Sequence, residues 1–306
     1  MNESQTIPEP SSIAGAAMED GAIIRLRRHG NPAGPRLVLS HGNGLAIDGY
    51  YAFWSRLLDR YDLIIFDFRN HGQNPLHGAS GHHWPNLVSD LERIWRVIAE
   101  EWGERPTAGI FHSLSAVSSV RHTLDKGPRW NPLVLFDPPF PPPPDHPLYA
   151  AQTAGEDGIA ARARRRTERF KDPSELEETF RTRPPFALWQ PESCHLMARA
   201  TLRRDDHAGD WVLACPRDLE AHIFETNRDP NLWRRVRNIP VPFKLIGGDP
   251  DHEFRQAPAE LSRALHNEIG CEYEAIPHTT HFLQLERPDE CIRAMESFLR
   301  EQRFID

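Results

Sequence analysis

The chain has 306 residues, a size that corresponds to one large domain or to a core domain that carries a sub-domain. Hydrophobic residues make up 39% and charged residues 26%, which is typical of a globular protein and excludes an extended disordered chain. The net charge of −8 argues against nucleic acid as a partner, and no stretch approaches the ~20 apolar residues that a membrane-spanning helix needs.

The cysteines and the polar start of the chain indicate a reducing compartment. Cys194, Cys215, Cys271 and Cys291 are scattered without the paired spacing of a disulfide or zinc framework. Residues 1–20 have neither a basic start nor an apolar run of the kind found in export signals. We therefore expect a cytoplasmic protein with no membrane partner. The sequence does not decide between a monomer and a homodimer.

The predicted elements begin after a lead-in over residues 1–21, which lacks periodicity and is expected to be mobile. From residue 22, short apolar runs alternate with segments of helical period, which predicts an α/β fold with a mostly parallel, doubly wound sheet. The predicted strands are Arg36–Ser40, 63–68, 108–112, Leu133–Phe136, 243–246 and 272–276.

A boundary follows Asp137, because the proline-rich run 138–144 cannot form an internal strand or helix. The next segment, to residue 238, contains only helical patterns. We therefore divide the chain into a first core part over 22–137, a helical insertion over 138–238 and a second core part over 239–306.

Ser113 lies directly between a buried-type strand and an apolar helix. A serine on such a turn is exposed at the carboxyl edge of the sheet, where the amino-terminal N–H groups of the next helix face it. The same position also suits a simple helix cap. A serine hydroxyl needs a histidine as base and a carboxylate to orient that histidine. The loop with His281 and the turn 247–251 follow later strands and supply both residue types.

These segments together resemble the α/β-hydrolase superfamily from about residue 22 to the end. The resemblance is carried by His41-Gly42-Asn43-Gly44, by Asp67-Phe68-Arg69-Asn70-His71-Gly72, by the serine segment 109–116, by the turn 247–251 and by the histidine loop 281–288. The resemblance implies a helical cap inserted after the sixth strand. It also implies that Ser113 is the nucleophile and His281 the base, with backbone N–H groups of Asn43 and Leu114 forming the oxyanion hole.

Three aspartates are candidates for the acid of the predicted triad. Family turns usually read Gly, two residues, then Asp, which selects Asp251 over Asp249. Asp137 is a third candidate because some members place the acid there, although the adjacent proline run favours a structural turn. For the base, His278 is the competitor, but only His281 precedes Phe-Leu and the terminal helix.

The predicted elbow departs from the family pattern G-x-S-x-G, because Phe111 and Ser115 occupy the two glycine positions. Ser115 is small enough to fit, whereas Phe111 fits only if its ring points into the helix layer. Ser115 as nucleophile would lie inside the helix, away from the turn.

A metal site is not expected. His71, His77, His82 and His83 fall in one predicted loop, but no H-E-x-x-H or paired-cysteine motif accompanies them. A solvated loop is the favoured interpretation. Acyl transfer through a serine triad needs neither a metal nor another cofactor.

The resemblance implies a serine hydrolase that cleaves an ester, thioester or lactone of a small to medium, largely apolar substrate. The expected substrate contacts are Gly44, His112, Phe140, Phe186, Trp189 and Trp211. The aromatic members could equally serve to dock the insertion onto the core. Three alternatives stay open, namely a ligand receptor of the same fold, an acyltransferase and a carbon–carbon bond hydrolase. Dehalogenases and epoxide hydrolases are excluded, because they use an aspartate where this chain has Ser113.

Overall fold

The computed structural model describes residues 6–306, and within this range one sheet dominates the molecule. Its eight strands lie in the order β1-β2-β4-β3-β5-β6-β10-β11. They are β1 (Ser12–Ala17), β2 (Ile23–Gly30), β3 (Arg36–Ser40), β4 (Asp62–Phe66), β5 (Thr107–His112), β6 (Leu133–Phe136), β10 (Phe243–Gly247) and β11 (Glu272–Ala275). The strands from β4 to β11 run parallel, whereas β1 and β2 add to one side as antiparallel strands.

Helices cover both faces of this sheet. Those outside the segment between β6 and β10 are α1 (Tyr51–Trp54), α2 (Trp84–Trp102), α3 (Leu114–Lys126), α9 (Ala257–Ile269), α10 (Leu283–Glu286) and α11 (Pro288–Glu301). The apolar runs of β3, β4 and β6 are completely buried, as expected for strands covered on two sides. The predicted α/β-hydrolase type of sheet is therefore confirmed.

The lead-in prediction was wrong for β1. The strand alternates buried and exposed residues, and its full length pairs with β2, so it forms a half-covered edge of the sheet. Its sequence, SIAGAA, gave a weak strand signal because five of its six residues are Ser, Ala or Gly, and Ile13 alone has the β-branched side chain typical of strands. Residues 1–5 of the predicted lead-in lie outside the described residues.

The segment between β6 and β10 contains both helices and strands. Its helices are α4 (Tyr149–Arg165), α5 (Pro173–Thr182), α6 (Pro191–Ala200), α7 (Arg217–Glu225) and α8 (Leu232–Arg235), and its strands are β7 (Arg169–Phe170), β8 (Leu202–Asp205) and β9 (Asp210–Leu213). The three strands form a separate small antiparallel sheet, so the prediction of a purely helical segment was wrong. Strands β7 to β9 are at most four residues long, too short for period-two alternation to appear in the sequence.

Among residues 6–306, no helix combines the length and apolar character needed to cross a lipid bilayer.

Candidate functional site

The turn between β5 and α3 holds Ser113 in a strained conformation. Its backbone has φ 53° and ψ −110°, a region that residues with a side chain rarely adopt. The amide of Ser113 donates to Phe136 O of the neighbouring strand at 2.9 Å, which ties the turn to the sheet edge. The turn thereby presents the hydroxyl of Ser113 to the neighbouring loops and not to the helix interior.

Gly109 explains how this turn accommodates Phe111. Residues two apart in a strand face the same side, and a β-carbon on Gly109 would lie 2.5 Å from Cε2 of Phe111 and 2.9 Å from Cδ2 of Leu133. The ring of Phe111 is fully buried and meets Trp130 edge-on, with the ring centroids 5.9 Å apart. The missing glycine at position 111 is therefore offset by a glycine at 109, and the ring points into the helix layer.

Ser115 stabilises the start of α3. Its hydroxyl accepts from His112 N and donates to His112 O, both at 2.8 Å, and its side chain is completely buried. These two bonds account for its hydrogen-bonding groups, and they leave Ser113 as the serine available at the turn.

His281 connects Ser113 to a carboxylate. Its Nε2 lies 3.0 Å from Ser113 Oγ, and its Nδ1 lies 2.7 Å from Asp137 Oδ2. Asp137 is a pure acceptor when ionised, so Nδ1 carries the proton and Nε2 accepts from the serine hydroxyl. This tautomer allows His281 to take the Ser113 proton while Asp137 stabilises the resulting positive charge.

Asp137 replaces the predicted Asp251 in this chain of hydrogen bonds. Asp137 follows β6 with φ 44°, is completely buried, and accepts from Gly248 N at 3.2 Å through its second oxygen. Asp251 has an 83% exposed side chain, and its nearest charged partner is Arg263 at 3.6 Å. The prediction of Asp251 was wrong because the turn after β10 contributes an N–H group to the acid instead of the acid itself.

The other two polar candidates in these loops, Asp249 and His278, lie outside the hydrogen bonds between Ser113, His281 and Asp137. Asp249 accepts from the amides of Asp251 and His278, at 2.9 and 3.0 Å, and so joins the turn after β10 to the histidine loop. His278 is exposed. A β-carbon on Gly248 would collide with the backbone of Thr280, so this glycine allows the two loops to approach closely.

The loop 41–44 lies beside Ser113. A β-carbon on Gly42 would be 3.2 Å from Cβ of Ser113, so only glycine fits there without displacement. Among the backbone hydrogen bonds of residues 6–306, the amides of Asn43 and Leu114 have no acceptor. Leu114 is the first residue of α3, where the helix dipole favours negative charge. The two predicted oxyanion donors are therefore unpaired.

Two residues, Tyr50 and His112, join loop 41–44 to the histidine loop. Gly42 N donates to Tyr50 Oη at 3.2 Å, and Tyr50 Oη lies 2.6 Å from Nδ1 of His112. Nε2 of His112 lies 2.9 Å from the carbonyl oxygen of His281. Because that carbonyl only accepts, Nε2 of His112 carries the proton and Nδ1 accepts from the Tyr50 hydroxyl. Burial holds the pKa of His112 well below its usual value, which keeps the ring neutral.

His112 therefore links two loops, and its predicted contact with substrate is corrected. The side chain is 1% exposed and both ring nitrogens are used. Tyr50, whose hydroxyl accepts from the amide of Gly42, was not predicted as a site residue, because only the fold brings it to His112.

His71 supports the same loop from the other side. Its Nδ1 lies 2.9 Å from the carbonyl oxygen of Arg69, and its Nε2 accepts from Gly44 N at 3.1 Å. Burial lowers the pKa of His71 to about 3, so the ring is neutral and can accept this bond. Gly44 has φ 72°, and a β-carbon at this position would collide with Oε1 of Glu220 in α7. Its amide is thus engaged inside the protein.

The predicted aromatic contacts fall into two groups. Phe140 and Trp189 are 1% and 4% exposed and are buried in the core, so their prediction as substrate contacts is corrected to packing. Phe186 and Trp211 are half-buried. Phe186 meets Phe282, the residue after His281, with the ring centroids 5.4 Å apart. This pair places aromatic surface from the segment before β10 next to the histidine loop.

The predicted loop histidines have separate partners. His77 lies 3.7 Å from Asp20, and His83 caps α2 by accepting from Asn86 N. Within residues 6–306, no three His, Cys, Asp or Glu side chains are grouped in a way that could hold a metal ion.

Comparison with known proteins agrees with this architecture. The sequence profile described as alpha/beta hydrolase family matches residues 37–294, most of the chain. The chain belongs to the alpha/beta hydrolase family. No curated protein sequence matches this hydrolase chain significantly.

Solved structures share the fold at low sequence identity. E-2-(acetamidomethylene)succinate hydrolase is similar with a TM-score of 0.75 and 19% identity, over 94% of this chain and 100% of that one. An alpha/beta hydrolase from Novosphingobium aromaticivorans is similar with a TM-score of 0.73 and 15% identity, over 96% of this chain and 99% of that one. A thermophilic esterase from Thermogutta terrifontis is similar with a TM-score of 0.66 and 17% identity, over 95% of this chain and 99% of that one.

Proposed function

We propose that this hydrolase cleaves a carboxylic ester, thioester or lactone through an acyl-enzyme on Ser113. The observation that carries the proposal is the continuous set of hydrogen bonds from Ser113 through His281 to Asp137. A serine hydroxyl is a weak nucleophile near neutral pH, and a histidine in this position removes its proton as the new bond forms.

Each step of the proposed reaction uses a group already in place. Ser113 Oγ attacks the carbonyl carbon while His281 Nε2 takes its proton. The amides of Asn43 and Leu114 hold the negative oxygen of the tetrahedral intermediate. His281 then returns the proton to the leaving group, and a water molecule hydrolyses the acyl-enzyme by the same route. One oxyanion donor contributes about 10²- to 10³-fold in rate.

The proposed substrate is a small to medium molecule whose apolar part contacts Phe186 and Phe282. Both side chains are half-buried. The ring centroid of Phe282 lies 5.5 Å from that of His281, and the ring centroid of Phe186 lies 5.4 Å from that of Phe282. Aromatic surface beside a few fixed polar groups is the usual composition of a small-molecule site. In this proposal, the segment between β6 and β10 acts as a cap over Ser113.

The test is turnover of p-nitrophenyl esters of increasing chain length, together with lactones and thioesters. We expect hydrolysis by the wild type with a preference for certain acyl lengths, and a loss of at least about 10³-fold in Ser113→Ala. Ser115→Ala is the matched control, because its hydroxyl bonds only to His112. Equal turnover by Ser113→Ala and wild type would refute the proposal.

A further inference from the structure

A surface cavity of about 480 Å³ lies between the loop after β4 and the end of α6, and neither Ser113 nor His281 lines it. Its apolar wall includes Leu196 and Leu202, and two arginines, Arg199 and Arg203, also line it. Its volume falls in the range of ~300–1,000 Å³ that small-molecule sites occupy.

Arg203 has no carboxylate partner within ion-pair distance among residues 6–306, although it is half-buried. Its Nη2 donates to the carbonyl oxygen of Ala214 at 2.6 Å, and its Nε is buried without a hydrogen-bond partner. An unpaired guanidinium in a partly desolvated position is costly, and proteins normally compensate such a charge. Nε is enclosed by protein, so Nη1, which has no acceptor in the described part of the chain and is not enclosed, is the nitrogen that an acceptor in the cavity would reach.

Within residues 6–306, three of the four buried arginines have a carboxylate partner, and the fourth, Arg121, donates to Oδ1 of Asn227. Arg36 is paired with Asp62 at 2.8 Å, and Arg27 is paired with Asp48 at 2.7 Å. Asp48 also borders the cavity, where its Oδ1 lies 2.7 Å from Nη1 of Arg27 and its Oδ2 accepts from the side-chain Nε2 of Gln73 at 2.8 Å. Asp48 thus has a paired cation, whereas Arg203 has no paired carboxylate among the residues that the structure describes.

Arg199 adds a second cation at the rim. It is exposed, and its Nε donates to Nε2 of His195 at 3.0 Å. Guanidinium groups match the two oxygens of a carboxylate, and the neighbouring Leu196 and Leu202 suit an aliphatic chain. Inorganic phosphate shares the charge but has no part that would use the apolar wall.

We propose that this cavity binds the carboxylate of a small organic acid, with Arg203 as the principal contact and Arg199 as an outer one. This site is separate from the proposed reaction centre and does not depend on Ser113. Gly72 and Gln73 of its wall directly follow His71, whose ring accepts a hydrogen bond from the amide of Gly44. The cavity therefore lies next to a residue that holds loop 41–44 in place.

The test is isothermal titration calorimetry with hexanoate, succinate and inorganic phosphate as probes. We expect saturable hexanoate binding to the wild type, at least tenfold weaker in Arg203→Gln and two- to fivefold weaker in Arg199→Gln. Arg204→Gln is the matched control, because it is the next residue of β8, faces the opposite side and lies over Trp211. Its affinity should equal that of the wild type.

Further arms locate the bound acid. Ser113→Ala should bind hexanoate as tightly as the wild type, whereas binding at the reaction centre would change with this variant and would contradict the proposal. Ala200→Phe fills the cavity and should abolish hexanoate binding, with circular dichroism showing that the protein is folded. This variant tests the proposal even if Arg203→Gln does not fold. Absence of hexanoate binding, equal affinity in Arg203→Gln, or binding of phosphate alone would each overturn the proposal.

Discussion

At the scale of single residues, two aspartates end turns at the same edge of the sheet but have opposite environments. Asp137 is buried and divides its two oxygens between His281 and Gly248, whereas Asp251 extends into solvent. A carboxylate that must hold one histidine tautomer needs the first environment, because both of its oxygens are then fixed.

Exchanging each aspartate for asparagine tests this difference. Asp137→Asn should lower kcat for p-nitrophenyl ester hydrolysis by about 10³- to 10⁴-fold, because an amide no longer fixes the proton on Nδ1 of His281. Asp251→Asn should stay within about twofold of the wild type. A large loss in Asp251→Asn together with an active Asp137→Asn would reverse the assignment.

Tyr50 tests whether the link between the two loops matters for catalysis. Tyr50→Phe removes the hydroxyl between Gly42 N and His112 Nδ1, and frees His112 to change tautomer. We expect kcat to fall by about tenfold, which corresponds to ~1.4 kcal/mol of transition-state stabilisation, with KM nearly unchanged. Tyr51→Phe, at the neighbouring position outside this link, is the control. A variant with wild-type kcat would show that the link is not required.

At the scale of elements, the turn from β5 into α3 depends on a balance between Gly109 and Phe111. Gly109→Ala should lower the free energy of unfolding by about 1–3 kcal/mol, because the new methyl group would overlap the Phe111 ring. In a Phe111→Leu background, which leaves a smaller side chain, the same change should cost less. Urea unfolding of the four proteins gives the coupling energy, and additive effects would contradict this explanation.

Elements of the central sheet were predictable because burial on both faces gives continuous apolar runs. The strands Arg36–Ser40 and Leu133–Phe136 follow from such apolar runs alone. The choice between Asp137 and Asp251 was not accessible in the same way. It depends on the positive φ after β6 and on the N–H of Gly248, which are set by long-range packing and leave no local signal.

The small sheet and the link through Tyr50 share this limitation. Strands β7 to β9 pair residues as far apart as Arg169 and Val212, so their order follows from tertiary contacts. The proximity of Ser113 and His281 was predictable because each follows a recognisable strand of the same sheet. Positions fixed by one element could thus be inferred, whereas positions fixed by several could not.

At the scale of the whole molecule, buried neutral histidines make stability depend on pH. Burial lowers the pKa of His41 to about 4, of His71 to about 3 and of His82 to about 2. Below about pH 6.5 the unfolded chain binds protons that the folded chain does not. These histidines therefore lower the free energy of unfolding as the pH falls from about 6.5 toward 4.

His82 allows this effect to be measured. Its Nε2 is buried without a partner, so His82→Leu removes a titrating group at a small cost in hydrogen bonds. The loss of unfolding free energy between pH 7 and pH 5 should be smaller than in the wild type by up to about 2 kcal/mol. His207→Gln, at an exposed position, serves as the control. An unchanged pH dependence in His82→Leu would contradict the assignment of His82 as neutral.

The central claim is that Ser113 is an activated nucleophile in the intact molecule, and mass spectrometry after reaction with a fluorophosphonate tests it most directly. The predicted result is one phosphonyl group per chain, located on the peptide that contains Ser113 and absent from Ser113→Ala. A folded wild-type protein that stays unmodified, or a Ser113→Ala variant that is modified to the same extent, would contradict the account.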